Sequence, residues 1–233
     1  MARITRKELK TDKFALEVEQ TVTFFDEHRQ EIIRYGGIAV AVIALIFAYT
    51  IYARHQHSAR EEALSRAIQL QEAPVGSATP AGATTLFQTQ EAKDQVTTKA
   101  FTDLAAQYSG TTEGEIARYY LGAIQADQGK MAAAEKNFQE VAQKGDAKYS
   151  SLAKLSLAQI YFADGRDAEG EKLLRDLMEH PTVFVSKDQA TVTLARLLIP
   201  KKPAEARKLL DPLKTANNQV GQLALTLLGQ IPQ

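Results

Sequence analysis

The hydrophobic pattern divides the chain into three textures. From Tyr35 to Ala53, YGGIAVAVIALIFAYTIYA, nineteen residues carry no charge. As a helix this run is roughly 28 Å long, close to the hydrocarbon thickness of a bilayer. Arg34 and Arg54 close its ends, and Tyr35, Tyr49 and Tyr52 stand where amphipathic rings suit a membrane interface. The run begins too late and is too long for a cleavable signal peptide. Arg54-His55-Gln56-His57 follows it in place of a small-residue cleavage site. A buried core helix is the competing reading, and the uninterrupted length favours a span. Within it Gly37, Ala41, Ala44 and Ala48 form a stripe of small residues, a candidate packing face for another membrane helix.

The flanks carry helical periodicity. In residues 1–34, Thr5-Arg6-Lys7-Glu8 has the spacing of a capping box, and Phe14, Val18, Val22 and Phe25 share one helical face. This predicts an amphipathic tail that rests on lipid or on a partner helix. Residues 54–73 contain neither Gly nor Pro and place Leu64, Ala67, Ile68 and Gln71 on one face, so the span is expected to continue as a juxtamembrane helix. Residues 74–85, PVGSATPAGATT, read as a flexible linker and lack the Gly-Lys-Ser/Thr ending of a phosphate loop.

Residues 86–233 repeat. Leu121-Gly122, Gly129, Ala134 and Phe138 return 36 positions on as Leu157-Ala158, Gly165, Gly170 and Leu174. Ala168-Glu-Gly-Glu-Lys-Leu-Leu174 matches Ala204-Glu-Ala-Arg-Lys-Leu-Leu210 at five of seven positions. Leu194-Ala195 and Leu198 stand in front of this third copy, and Phe101-Thr-Asp-Leu-Ala-Ala is an earlier half copy. Each unit reads as two helices. A small residue on the first lets the second pack close, and Gly129 or Gly165 ends the first helix at φ > 0. The second helix presents a small contact residue and, four positions on, a large one. Pro203 starts the last second-helix, and Val220–Ile231 reads as a closing helix. No such unit buries its apolar face alone, so the units must stack. The fold class is all-α: one transmembrane helix followed by an α-solenoid of helical hairpins.

Charge and composition narrow the chemistry. The 28 Lys plus Arg balance 28 Asp plus Glu, seven of each in residues 1–34 and the other 21 of each after the span. No nucleic-acid partner is indicated. There is no Cys, so thiol catalysis, disulfides and zinc fingers are excluded. His55 and His57 point to opposite sides of a helix and make poor joint ligands. No Gly-x-Ser-x-Gly, His-Glu-x-x-His or Walker motif occurs, and no catalytic, metal or cofactor site is expected. Arg29 and Arg34 before the span face Arg54, Arg60 and Arg66 after it, a count that favours neither orientation. The seven Lys and Arg of the short tail place it on the cytoplasmic side.

The spacing Leu121-Gly122…Gly129…Ala134…Phe138 and Leu157-Ala158…Tyr161…Gly165…Gly170…Leu174…Pro181 resembles the tetratricopeptide repeat. Gln125 stands where that motif expects Tyr. The layout also looks like the YfgM-type bacterial inner-membrane proteins, with Phe24-Phe25 before a single span and His55 to Arg60 after it. That resemblance implies a periplasm-facing, non-enzymatic scaffold. Its protein partners would be the secretion translocon and periplasmic folding factors, with lipid around residues 35–53. A cytoplasm-facing adaptor and a structural subunit of an envelope complex are the competing readings. In tetratricopeptide repeats the first helices line the concave side. By that resemblance Tyr119, Ala123 and Asp127 of one unit, Leu155, Gln159 and Phe162 of the next, and Val192 and Arg196 of the third form a candidate protein-binding groove. Ala123 and Gln159 stand where the carboxylate-clamping members of the superfamily carry Asn. The alternative is that these side chains are core.

Overall fold

The computed structural model describes residues 29–76, 86–216 and 218–231. The amphipathic tail expected before Arg29 and most of the linker, residues 77–85, lie outside them. Among the described residues there are nine helices and a single isolated β-bridge, between Val75 and Phe87. The helices are α1 (Arg29–Glu72), α2 (Gln90–Gln107), α3 (Thr112–Asp127), α4 (Met131–Lys144), α5 (Ala147–Ala163), α6 (Asp167–Glu179), α7 (Lys187–Leu198), α8 (Pro203–Leu210) and α9 (Gln219–Gln230). The described residues fall into two compact units, one up to Ala59 and one from Arg60 onward.

In the first unit α1 is described from Arg29 onward, and its large apolar side chains from Ile33 to Tyr52 are exposed. It is a helix long and apolar enough to cross a membrane. Gly37, Ala41, Ala44 and Ala48 are exposed along it.

The second unit is a stack of helical hairpins in which each helix from α2 to α9 packs on the next. Its first hairpin uses the end of α1. Leu64 and Ala67 are buried in one cluster with Phe101 and Leu104 of α2 and with Ala117 and Leu121 of α3. The half copy around Phe101 thus finds its partner helix on the near side of the 73–89 connection. The ends of that connection are fastened: Gly76 N donates to Phe87 O at 2.9 Å, Phe87 N to Pro74 O at 3.1 Å, and Lys93 Nζ to Ala73 O at 2.8 Å. The pairs α3–α4, α5–α6 and α7–α8 follow, and α9 closes the stack against α7 and α8.

Helix ends explain the alternation. The helices that open a hairpin start on a side-chain cap. Thr111, Asp146 and Ser186 accept from the backbone N–H of Gly114, Tyr149 and Gln189. In these three hairpins the closing helices α4, α6 and α8 start without one, after a tight turn. Gly129 and Gly165 take φ of 73° and 76°, and Lys130 N and Arg166 N reach back to Gln125 O and Tyr161 O at 2.8 and 2.7 Å. These are six-to-one bonds that satisfy carbonyls left open at the helix end, and they require the left-handed residue the sequence places there. The α7–α8 hairpin has no glycine at this turn and uses Pro203 at the first helical position.

Within a hairpin, glycine sets the helix separation. A Cβ on Gly122 would lie 3.0 Å from the Phe138 ring, and one on Gly170 would lie 2.6 Å from Phe162 and 2.9 Å from Ala158 O. Phe138, Leu174 and Leu210 are buried where the repeat pattern predicts large contacts. Gln125 replaces the expected Tyr by accepting from Asn137 Nδ2 at 2.7 Å, a polar tie between α3 and α4.

Candidate functional site

The first helices α3, α5 and α7 pack in sequence on one another, so residues at equal register along them share a face. On that face a hollow of about 370 Å³ opens between α3 and α5. Ala123, Ala126 and Asp127 line it from α3, Ser156, Gln159 and Ala163 from α5, and Met131 from the start of α4. The small side chains of Ala123, Ala126 and Ala163 make the space. Asp127 and Gln159 are exposed and put a carboxylate and an amide at its rim.

The other expected groove residues divide by depth. Arg196 is exposed on α7. Tyr119 is half-buried, with its ring 5.6 Å from both Phe138 and Tyr149 and 6.0 Å from Tyr120. Phe162 is half-buried and its ring lies against Gly170. Leu155 and Val192 are 9% and 6% exposed and belong to the cluster that also holds Leu174 and Leu194. The structure therefore gathers Ala123, Asp127 and Gln159 around one hollow and seats Leu155 and Val192 in the packing beneath the face. Met131, Ser156 and Tyr149 were not among the residues singled out from sequence. Met131 is the residue next to the Gly129-Lys130 turn, and no periodic signal marks it.

The face is neutral at its centre. Burial pushes the phenols of Tyr119, Tyr120 and Tyr149 up from their ordinary value, and a hydrogen bond with Ser156 opposes this at Tyr119. All three stay protonated at physiological pH. Tyr120 also stacks on Phe101, with ring centroids 5.0 Å apart. An uncharged strip of half-buried rings beside a small-residue hollow suits apolar side chains, with room for a polar contact at Asp127 or Gln159.

The outer side of the stack is ionic. Glu135 holds Arg166 through two bonds of 2.8 and 2.6 Å, and Arg166 lies 4.0 Å from the Tyr161 ring centroid. Glu171 pairs with Arg175 at 2.6 Å and with Lys202 at 2.9 Å. A larger open depression of about 590 Å³ is lined by Glu171, Arg175 and Asp176 of α6. Their charges are engaged with Lys202, Glu205 and Lys154, and the depression offers no aromatic anchor. Among the described residues no group of three or more His, Asp or Glu is placed to hold a metal ion.

A family model described as a tetratricopeptide repeat-like domain matches residues 23–189. No curated protein and no solved structure matches the chain.

Proposed function

The chain belongs to the tetratricopeptide repeat-like domain family, whose members are typically non-enzymatic protein-binding scaffolds, and from that premise we propose that it is a membrane-anchored platform for a partner protein. Its binding face is the side formed by α3, α5 and α7. The observation that carries this reading is the hollow of about 370 Å³ at Ala123, Asp127 and Gln159, next to the half-buried aromatic strip. The ligand is an apolar segment of a partner, anchored by large side chains that enter the hollow. Leu155 and Val192 support the face from below, and Arg196 extends its polar rim.

The anchor is the apolar part of α1, which crosses the membrane with its N-terminal tail in the cytoplasm and the repeats outside. Short segments follow the positive-inside bias, and the seven basic residues of the tail support this orientation. By the resemblance to YfgM-type proteins, the compartment is the periplasm and the partners belong to translocon-associated folding. The protein performs no catalysis of its own.

Photo-crosslinking in intact membranes tests the face. A photoreactive residue at Gln159 is expected to give a discrete adduct with a second protein, and one at Lys172 on the outer side of α6 is not. Equal adduct patterns from the two positions would refute the assignment of the face. Protease accessibility of the repeats in spheroplasts separately tests the orientation.

A further inference from the structure

One turn of the repeat unit displays apolar side chains instead of burying them. Val183 is 82% exposed, the most exposed large apolar side chain among the described residues, and Phe184 beside it is 40% exposed. The turn is pinned. Thr182 N donates to Val185 O at 2.9 Å, and the Thr182 hydroxyl accepts from Phe184 N at 3.2 Å and Val185 N at 3.0 Å. The same oxygen lies 2.7 Å from Ser151 Oγ, which itself donates to Lys148 O at 2.7 Å. Ser151 has one hydroxyl proton and it is engaged, so the proton between the two hydroxyls is that of Thr182. Every bonding position of the Thr182 hydroxyl is then filled. Val185 is fully buried. Tied to α5 on one side and plugged into the core on the other, the turn holds Val183 and Phe184 outward.

Single exposed apolar residues are ordinary. A pinned pair is different, because a slack turn would fold two such side chains back onto the surface. The neighbourhood indicates what covers them. The Phe184 ring meets Tyr149 edge-on at 5.5 Å, and Lys148 Nζ stands 5.9 Å from its centroid. Lys187 follows the turn, and both lysines are exposed. Asp146 beside them is engaged as the cap of α5. Apolar tips flanked by flexible amines match a bilayer interface, with rings among the acyl chains and amines at the phosphates.

Position within the unit agrees. The turn lies at the edge where α3, α5 and α7 begin. Arg60 lies at that edge too, 3.2 Å from Glu113 in the first turn of α3. Arg60 is where the chain enters this unit, a few residues after the uncharged stretch ends at Ala53. We propose that the Val183–Phe184 turn is a second membrane contact, a wedge that dips into the headgroup layer of the bilayer. The inference rests on the reading that α1 crosses that bilayer.

The chain contains no Trp, so a single introduced Trp is a clean reporter. Three full-length variants, Phe184→Trp, Val96→Trp on α2 and Tyr49→Trp in the apolar stretch, are reconstituted in phosphatidylcholine nanodiscs with and without brominated acyl chains. Phe184→Trp is expected to emit to the blue of Val96→Trp and to lose intensity about twofold on bromination, as an interfacial side chain does. Tyr49→Trp is quenched if α1 crosses the bilayer. Quenching at Tyr49→Trp with emission at Phe184→Trp indistinguishable from Val96→Trp overturns the wedge and leaves the anchor standing. Quenching at neither overturns both. A Phe184→Trp signal that turns blue only on adding a partner protein, without response to bromine, also overturns it and makes the turn a protein contact.

Discussion

Gly165 and Gly170 are five residues apart in sequence and fail for opposite reasons when substituted. Gly165 has φ of 76° and open space where a Cβ would go, so Gly165→Val is penalised by backbone conformation alone. The expected loss is about 1–3 kcal/mol, read as a lower melting temperature, and an unmoved melting temperature contradicts it. Gly170 is helical, and its added Cβ would meet Phe162 and the Ala158 carbonyl. Gly170→Ala is expected to cost about 1–3 kcal/mol as overpacking, part of it recovered when Phe162→Ala is added. Additive losses in the double variant would show that the two side chains do not compete for that space. The left-handed turn was legible because glycine stands at the same place in two copies. The role of Phe162 was only half legible. The repeat register puts it on the first-helix face, and nothing in the sequence shows that its ring lies on the glycine of the following helix.

The repeat period located the hairpins α3–α4, α5–α6 and α7–α8, because a 36-residue recurrence of large and small contacts survives divergence. The first hairpin was harder to read. Its two helices are separated by the 73–89 connection, and its opening helix is the end of a much longer one whose apolar stretch dominates the pattern. Leu64 and Ala67 belong to the Phe101 cluster, so a fragment starting at Leu86 leaves Phe101 without its cover. We expect residues 86–233 to melt well below residues 60–233, and Leu64→Ala in the longer fragment to lose about 2–5 kcal/mol. Identical melting of the two fragments would show that the end of α1 is not part of the stack.

The α6–α8 contact responds to pH. Hydrogen bonds from Lys202 and then Arg175 hold the Glu171 carboxyl below its ordinary value of 4.5. A depressed folded-state value means that the stability it brings is present above pH 4.5 and lost as pH falls through the folded value. Glu171→Gln is expected to lower the melting temperature at pH 7 and to flatten its fall on acidification. Asp176, held low chiefly by its bond to Lys154, keeps part of the acid sensitivity. Parallel pH profiles for the two proteins would contradict the role of Glu171.

Taken whole, the chain combines an exposed apolar helix with a stack whose outer side is knitted by ion pairs and whose first-helix side is aromatic, hollowed and neutral at its centre. The all-α architecture was legible from periodicity. The depth of individual groove residues was not, since Leu155 and Gln159 lie one turn apart on α5 and only packing against α7 decides that one is buried and the other exposed. The most direct test compares Gln159→Trp, which fills the hollow, with Lys172→Trp on the outer side, for binding of the protein crosslinked at Gln159. Both variants are expected to keep the melting temperature of the parent. Gln159→Trp is expected to weaken the dissociation constant by roughly tenfold or more, the loss of about 1.4 kcal/mol of anchor contact, and Lys172→Trp to leave it unchanged. Equal affinity of the two variants and the parent would contradict the binding face.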